Sequence, residues 1–177
     1  MENFTSLFNT ASSIVAIAWF VCGIIFLLFR KNSKINSFIS KHVLWLGLII
    51  TGVSLIGSLI YSNVIGYQAC MFCWYARILL YPQFFLFLLA LIKRERVIID
   101  YALLLSVIGI IVSGYHYFAI DLGHVDLIAC SSGGVSCATR YVYEFGFVTI
   151  PFMSLSAFVF LTGALASAKR ALKQSLN

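Results

Sequence analysis

The sequence has few charged residues, and this scarcity decides the class of protein. Asp, Glu, Lys and Arg make up 10% of the 177 residues, whereas hydrophobic residues make up 62%, and the mean hydropathy is +1.00. A soluble domain with so little charge would expose apolar side chains over most of its surface. The composition therefore excludes a soluble globular domain and predicts an integral membrane protein.

The sequence also lacks regular alternation of apolar and polar residues, internal repeats and low-complexity tracts. A transmembrane β-barrel needs segments of about ten alternating residues, so their absence argues against a barrel. Instead, five continuous apolar runs approach the roughly 20 residues that a helix needs to cross a bilayer. We predict an all-α integral membrane protein with spans at 11–29, 43–65, 74–92, 97–120 and 145–168.

Lysine and arginine are missing before the first apolar run, which distinguishes it from the basic start of a secretory signal peptide. Ten of the twelve Lys and Arg residues fall instead within 30–41, 93–96 and 169–173. Because basic residues in short loops favour the cytoplasmic side, the N-terminus is predicted outside and the C-terminus in the cytoplasm. This topology explains the net charge of +6, and no nucleic-acid partner is predicted.

Four of the five cysteines form two pairs, and both pairs fall on the predicted outer side, where disulfides persist. Cys70 and Cys73 lie where the third span begins. The positive end of that helix would favour a thiolate at Cys73, and Arg77 lies one turn further on the same face. An arginine at this depth is costly unless it snorkels or meets an anion, so a functional role competes with a role as interfacial anchor.

The second pair, Cys130 and Cys137, flanks six small residues, 131–136. This segment is flexible enough to bring the two Cα atoms within disulfide range. A bond in such a loop is either an inert cross-link or a target for an incoming thiolate. Since an inert cross-link does not require a Cys-x-x-Cys pair on the same face, two pairs there indicate thiol-disulfide exchange between them.

Further motifs complete a recognisable set. Gly114-Tyr115-His116 lies near the outer end of the fourth span, and Cys137-Ala138-x-Arg140 precedes a segment that runs from Phe145-Gly146 to Pro151. Together with Cys70-x-x-Cys73-x-x-x-Arg77, this set resembles the DsbB family of disulfide bond formation proteins, and its BdbC-type branch most closely. The resemblance covers the second to fifth spans.

The resemblance implies a DsbB-like four-helix transmembrane bundle at 43–177. Residues 1–42 then form an additional N-terminal transmembrane helix and a basic cytoplasmic loop. It also implies a thiol:quinone oxidoreductase of the bacterial cell membrane, with both cysteine pairs on the extracytoplasmic side. Such an enzyme reoxidises a thioredoxin-fold thiol oxidase, DsbA-like or BdbD-like, and passes the electrons to the membrane quinone pool, ubiquinone or menaquinone.

The family mechanism assigns a role to each cysteine. The reduced partner attacks Cys130 and releases Cys137, which then attacks Cys70 and leaves Cys73 as a thiolate beside the quinone. Arg77 is expected to stabilise that anionic arrangement. Two further residues are expected at the quinone, and they are His116 and Trp74.

Two other classes of function use the same parts. A vitamin-K-epoxide-reductase-like enzyme also combines two cysteine pairs with a quinone or quinone epoxide, although the surroundings of the cysteines lack its signature. A non-enzymatic membrane metal carrier could use the four outer cysteines and a histidine as soft ligands for zinc or copper. Oxidation of thiols on the outer side argues against the carrier, and no metal site is predicted.

Overall fold

The computed structural model describes residues 2–29, 33–122, 137 and 139–176. In these ranges the chain forms five long apolar helices and no extended strand, which confirms the predicted all-α membrane protein. They are α1 (Glu2–Leu28), α2 (Ser33–Leu59), α3 (Met71–Lys93), α4 (Ile98–Tyr115) and α5 (Ile150–Leu176). α2 and α4 each continue into a π-helical turn, at Ile60–Val64 and His116–Leu122.

Four of the helices form a closed bundle, and the first packs against its outside. α2 contacts α3, α3 contacts α4, α4 contacts α5, and α5 returns to α2, whereas α1 packs mainly on α5. α5 is the most enclosed of the five, with 67% of its apolar window buried, compared with 17% for α1. The four-helix bundle with one additional N-terminal helix is therefore confirmed.

Glycines bring α1 and α4 unusually close to α5. A Cβ atom at Gly109 of α4 would lie 2.4 Å from the ring of Phe158, and one at Gly23 of α1 would lie 2.8 Å from the backbone of Phe160. A side chain at either position would overlap its neighbour. Small residues at such crossings favour helix association in membranes because they let the backbones approach.

The start of α5 differs from the prediction that the fifth span begins at 145. The helix begins at Ile150, because Phe145 (φ 54°) and Gly146 (φ +79°) adopt left-handed conformations that a right-handed helix does not contain. These two residues form a tight turn closed by backbone hydrogen bonds between Glu144 and Val148. Pro151 follows in the first turn of α5, where a proline is tolerated.

The two ends of the bundle carry different kinds of residues. The end formed by the starts of α2 and α4 and the last turns of α5 carries most of the described basic residues. Arg96 donates to Ser40 there, and Lys169 pairs with Asp100 at 2.7 Å. The opposite end contains both π-helical turns and the start of α3. All the described candidate redox residues lie at or near this second end.

Candidate active site

The first cysteine pair is fixed by the start of α3. Cys70 is the N-cap residue, with extended backbone (φ −73°, ψ 172°), and its carbonyl accepts the Trp74 N–H at 3.1 Å. Cys73 lies in the first turn, three residues on, so both side chains meet on one side of the helix end. The Cys70 thiol donates to the Cys73 sulfur with the two Sγ atoms 3.1 Å apart. The pair is therefore poised for disulfide closure.

The two thiols are not equivalent. The hydrogen bond to Cys73, followed by burial, raises the pKa of Cys70 to about 12. Cys70 therefore holds its proton at neutral pH, and Cys73 is the sulfur that receives the hydrogen bond. The proton of the pair thus lies on Cys70, and a negative charge at Cys73 during the reaction stays a prediction.

His116 connects the first pair to the segment that carries Cys137. It is buried in the π-helical turn after α4, and its Nε2 atom lies 3.8 Å from the Cys70 sulfur and 3.2 Å from the Cys137 carbonyl oxygen. One ring nitrogen thus faces a thiol and a backbone acceptor together. An N–H at Nε2 can donate to the carbonyl oxygen or to the Cys70 sulfur, whose own proton is donated to Cys73.

Cys137 lies against the first pair. Its buried side chain packs in one cluster with Cys70 and Phe72, and Cys73 borders the same cluster. Three of the four predicted redox cysteines are thus brought together. The fourth, Cys130, lies outside the described residues.

Arg77 bridges α3 to α2. Its Nε donates to the Ser58 hydroxyl at 2.8 Å, and Nη2 donates to the Ser58 carbonyl at 3.2 Å. The guanidinium carbon also lies 5.2 Å from the centre of the Trp74 ring. These contacts hold the cation in one orientation, one turn along the helix from Cys73.

The second basic residue of this end, Arg140, is held by an acid. Its Nε donates to Asp121 Oδ1 at 2.7 Å, and its Nη2 donates to the Asp121 carbonyl. Asp121 belongs to the same π-helical turn as His116. The pair therefore joins the segment after Cys137 to the end of α4.

A cavity of about 410 Å³ opens beside these groups. Cys70, Cys73, Arg77 and His116 lie in its wall, and most of the remaining lining is apolar. Three hydroxyls that line it have no hydrogen-bond partner among the described residues, and they belong to Ser54, Tyr81 and Thr149. The cavity thus offers an apolar space, a fixed cation and a thiol pair, with three unpaired hydroxyls buried in its wall.

Trp74 occupies a different place from the other predicted cofactor residues. Its side chain is 53% exposed and does not belong to the described lining of the cavity. It touches the site through the cation of Arg77. Its contact with a quinone remains a prediction, and an effect on this cavity would pass through Arg77.

Sequence reasoning missed Ser58 and the unpartnered hydroxyls of Ser54, Tyr81 and Thr149. Ser58 is 19 residues from Arg77, and nothing in its neighbourhood marks it as a partner. Serine and threonine are common in membrane helices, where they bond to the preceding turn. These side chains are identified by the packing of the helices and not by motif spacing.

Comparison with known proteins agrees with the predicted family. The family model described as "Disulfide bond formation protein DsbB" matches residues 40–170. A relative from Halalkalibacterium halodurans, named "Probable disulfide formation protein C", is 38% identical over 69% of this chain and 91% of its own length. The "SPbeta prophage-derived disulfide bond formation protein B" of Bacillus subtilis is 40% identical over 60% of this chain and 71% of its own.

A third relative, the "Probable disulfide formation protein" of Oceanobacillus iheyensis, is 42% identical over 62% of this chain and 76% of its own length. No solved structure matches the chain. The family match covers α3, α4 and most of α2 and α5, and it leaves α1 outside. The chain belongs to the DsbB family and is a disulfide-generating membrane oxidoreductase.

Proposed function

We propose that this protein reoxidises an extracytoplasmic thioredoxin-fold thiol oxidase and transfers the electrons to a membrane quinone. The observation that carries the proposal is the opening of the Cys70–Cys73 pair and Arg77 into one apolar cavity. Redox-active thiols beside an apolar space suit a lipid-soluble electron acceptor. In this proposal 43–177 carry the reaction, and 1–42 add a membrane helix and a basic loop.

The cavity fits a quinone. Its volume of about 410 Å³ lies within the range of about 300–1,000 Å³ that is usual for small-molecule sites. A quinone ring carries two carbonyl acceptors, and Arg77 in the cavity wall supplies a donor, while the unpaired hydroxyls of Tyr81 and Thr149 lie buried in the same wall. The apolar lining suits an isoprenoid tail, and these features do not distinguish ubiquinone from menaquinone. When bound, the quinone accepts two electrons and two protons and is reduced to the quinol.

The thiol steps begin at the second pair. A thiolate of the reduced partner attacks Cys130 of the Cys130–Cys137 disulfide, which forms a mixed disulfide and releases Cys137. The partner's second thiol resolves the mixed disulfide, so that the partner leaves oxidised and Cys130 is freed. Two electrons have then passed from the partner to this pair.

Cys137 next attacks Cys70 in the Cys70–Cys73 disulfide and leaves Cys73 as thiolate. Attack of Cys130 on the Cys70–Cys137 bond then restores the second pair and leaves the first reduced. The packing of Cys137 against Cys70 supports this order. His116, between Cys70 and the Cys137 carbonyl, would hold the two sulfurs in register.

The remaining groups act on charge. Arg77 would stabilise the Cys73 thiolate and the electron-rich acceptor, and Ser58 keeps its guanidinium aimed into the cavity. Burial of Cys70 and His116 keeps water from the exchanging sulfurs. The basic residues at the opposite end support a topology in which that end is cytoplasmic and both cysteine pairs face a thioredoxin-fold partner outside the membrane.

The experiment is quinone reduction by the purified protein with a reduced thioredoxin-fold dithiol as donor. Cys73→Ser and Cys130→Ser are compared with Cys22→Ser, which changes a cysteine of α1 outside the cavity lining. We expect turnover to be lost in the first two variants and retained in the control. A donor that keeps only its attacking cysteine should accumulate a mixed disulfide with Cys130 of the oxidised wild-type protein, because no second donor thiol resolves it, and should form none with Cys130→Ser. The proposal is wrong if the wild type reduces neither ubiquinone nor menaquinone analogues.

The metal carrier has one observation in its favour. The ligand atoms of Cys70, Cys73 and His116 lie within 4.8 Å of one another, a soft set that suits zinc or copper. Metal analysis of protein purified without reductant separates the two functions. Stoichiometric metal would favour the carrier, whereas two disulfides and no metal would favour the oxidoreductase.

A quinone-epoxide reductase would differ in reducing an epoxide substrate, which can be included in the quinone-reduction assay.

A further inference from the structure

The first helix contributes to the cavity although it lies outside the family match. Five of its residues with apolar side chains and Ser12 form a stripe along one face, where lining positions recur every three or four residues. All six line the cavity, and they are Phe8, Ala11, Ser12, Val15, Ala16 and Trp19. The opposite walls come from α2, α3 and α5. The matched four-helix part alone would therefore leave this side of the cavity open.

The inner half of α1 is anchored on α5 by close packing. A Cβ atom at Gly163 would lie 2.7 Å from the carbonyl oxygen of Gly23, so the backbones of the two helices nearly touch. The rings of Phe26 and Phe160 meet edge to face at 5.3 Å. Ser167 also donates to the Phe26 carbonyl at 3.3 Å. Contacts of this kind give the helix a defined position.

The outer half of α1 is anchored at the cysteine end. The hydroxyls of Ser12 and Tyr61 are hydrogen-bonded at 2.7 Å, and Phe8 meets the Tyr61 ring edge to face at 5.1 Å. Tyr61 stacks on Tyr67, which stacks on Tyr141 at 4.6 Å. This chain of rings runs from α1 to the segment after Cys137. The outer rim of the cavity is therefore tied to α1.

We propose that α1 is a wall of the electron-acceptor site, and that its Val15, Ala16 and Trp19 face contacts the hydrocarbon part of a bound quinone and sets its affinity. The inference rests on the proposed quinone reduction and extends it to a helix that the family match does not cover. Most polar groups of the cavity come from the bundle helices and the segments that join them, whereas α1 faces it mainly with apolar side chains. This division suits an acceptor with a polar ring and an apolar tail.

Val15 and Ile14 make a matched pair for testing the proposal. Val15 lines the cavity and is 39% exposed, so a larger side chain there would grow into open space. Ile14, its neighbour, is 56% exposed and does not belong to the described lining. Val15→Trp therefore fills the acceptor space, and Ile14→Trp adds the same side chain on another face of the helix.

The assay measures the KM for a decyl-tailed ubiquinone analogue and a menaquinone analogue with a saturating dithiol donor. We expect Val15→Trp to raise the quinone KM by at least about tenfold, because excluding part of the ligand costs on the order of 1.4 kcal/mol or more. Ile14→Trp should match the wild type. Thiol-disulfide exchange between the donor and the cysteine pairs is measured without quinone by thiol trapping. It should be unchanged in both variants, which would show that they are folded.

Quinone binding to the intact protein gives a second readout that does not depend on turnover. A bound quinone quenches nearby indole fluorescence, so a protein that keeps Trp19 and carries Phe at its other tryptophans should be quenched on addition of the decyl analogue. Equal quinone KM values in wild type and Val15→Trp, with no quenching of Trp19, would overturn the inference while leaving quinone reduction intact. Absence of quinone reduction in the wild type would instead reject the proposed function.

Discussion

Removal of the Arg77 cation is the most direct test of how the cavity handles charge. In the proposed reaction negative charge develops at Cys73 and then at the acceptor, and Arg77 is the cation in the described wall near that sulfur. A hydrogen bond from a charged donor is worth about 1.5–3 kcal/mol. Arg77→Ala should therefore lower kcat/KM for quinone by a factor of about 10–150.

Two milder variants separate the contribution of the Arg77 charge from that of its contacts with Ser58. Arg77→Lys keeps the charge but cannot reproduce both contacts to Ser58, so an intermediate loss is expected. Ser58→Ala keeps the guanidinium and removes one of its acceptors, which should cost about 1 kcal/mol, or about fivefold. Ser37→Ala, at an exposed position near the other end of α2, is the control and should leave the kinetics unchanged.

The assay is steady-state quinone reduction with the quinone varied at saturating donor, and then with the donor varied at saturating quinone. Because Arg77 lines the cavity and the donor engages the second pair, the loss should appear in the quinone series, and the donor KM should stay the same. An unchanged quinone KM and kcat in Arg77→Ala would refute the assignment. A change confined to the donor KM would indicate that Arg77 acts in binding the partner instead of the quinone.

Three further predictions concern the surrounding groups. His116→Ala should slow donor-driven turnover about tenfold, because its contacts with both cysteine segments are lost. Single-turnover quinone reduction by prereduced protein should change less. Partial rescue by His116→Gln would support a positioning role, and equal losses in both assays would contradict it. In reduced Cys73→Ala, the pH at which Cys70 becomes reactive toward an alkylating agent should be lower than in the wild type, because the hydrogen bond that most raises its pKa is gone. An unchanged pH profile of alkylation, followed by mass spectrometry, would disprove that cause. Gly23→Ala should lower the unfolding temperature by displacing α1 from α5, whereas Gly57→Ala, with open space around it, should not; equal melting temperatures in detergent would show that the close approach is unimportant.

The helices were predictable because continuous apolar runs leave one economical structure in a bilayer. Boundaries were less predictable where the apolar pattern continues through a turn. Residues 145–149 are as apolar as a helix start, and the left-handed backbone at Phe145 and Gly146 is what delays α5. At the N-terminal end of the described residues, α1 begins at Glu2 and not near 11, because the helix extends into polar residues that the hydropathy pattern does not mark.

The candidate site was predictable where it is local in sequence. Cys70, Cys73 and Arg77 lie within two turns, and their relative positions follow from helix geometry. The neighbour of His116 was not predictable, because its contact with Cys70 joins residues 46 apart. The partner of Arg77 and the wall supplied by α1 likewise depend on how helices pack, which motif spacing does not determine.

Irregular backbone is concentrated at the end of the bundle that carries the thiols. The π-helical turn after α2 presents Tyr61 to α1, and the one after α4 presents His116 to the first cysteine pair. Such turns are tolerated at membrane depth where they border a cavity and their polar groups find partners within the protein. The regular packing of glycines and phenylalanines on α5 can therefore stabilise the bundle, while the groups that exchange electrons lie on helix ends whose geometry can change without disturbing that core.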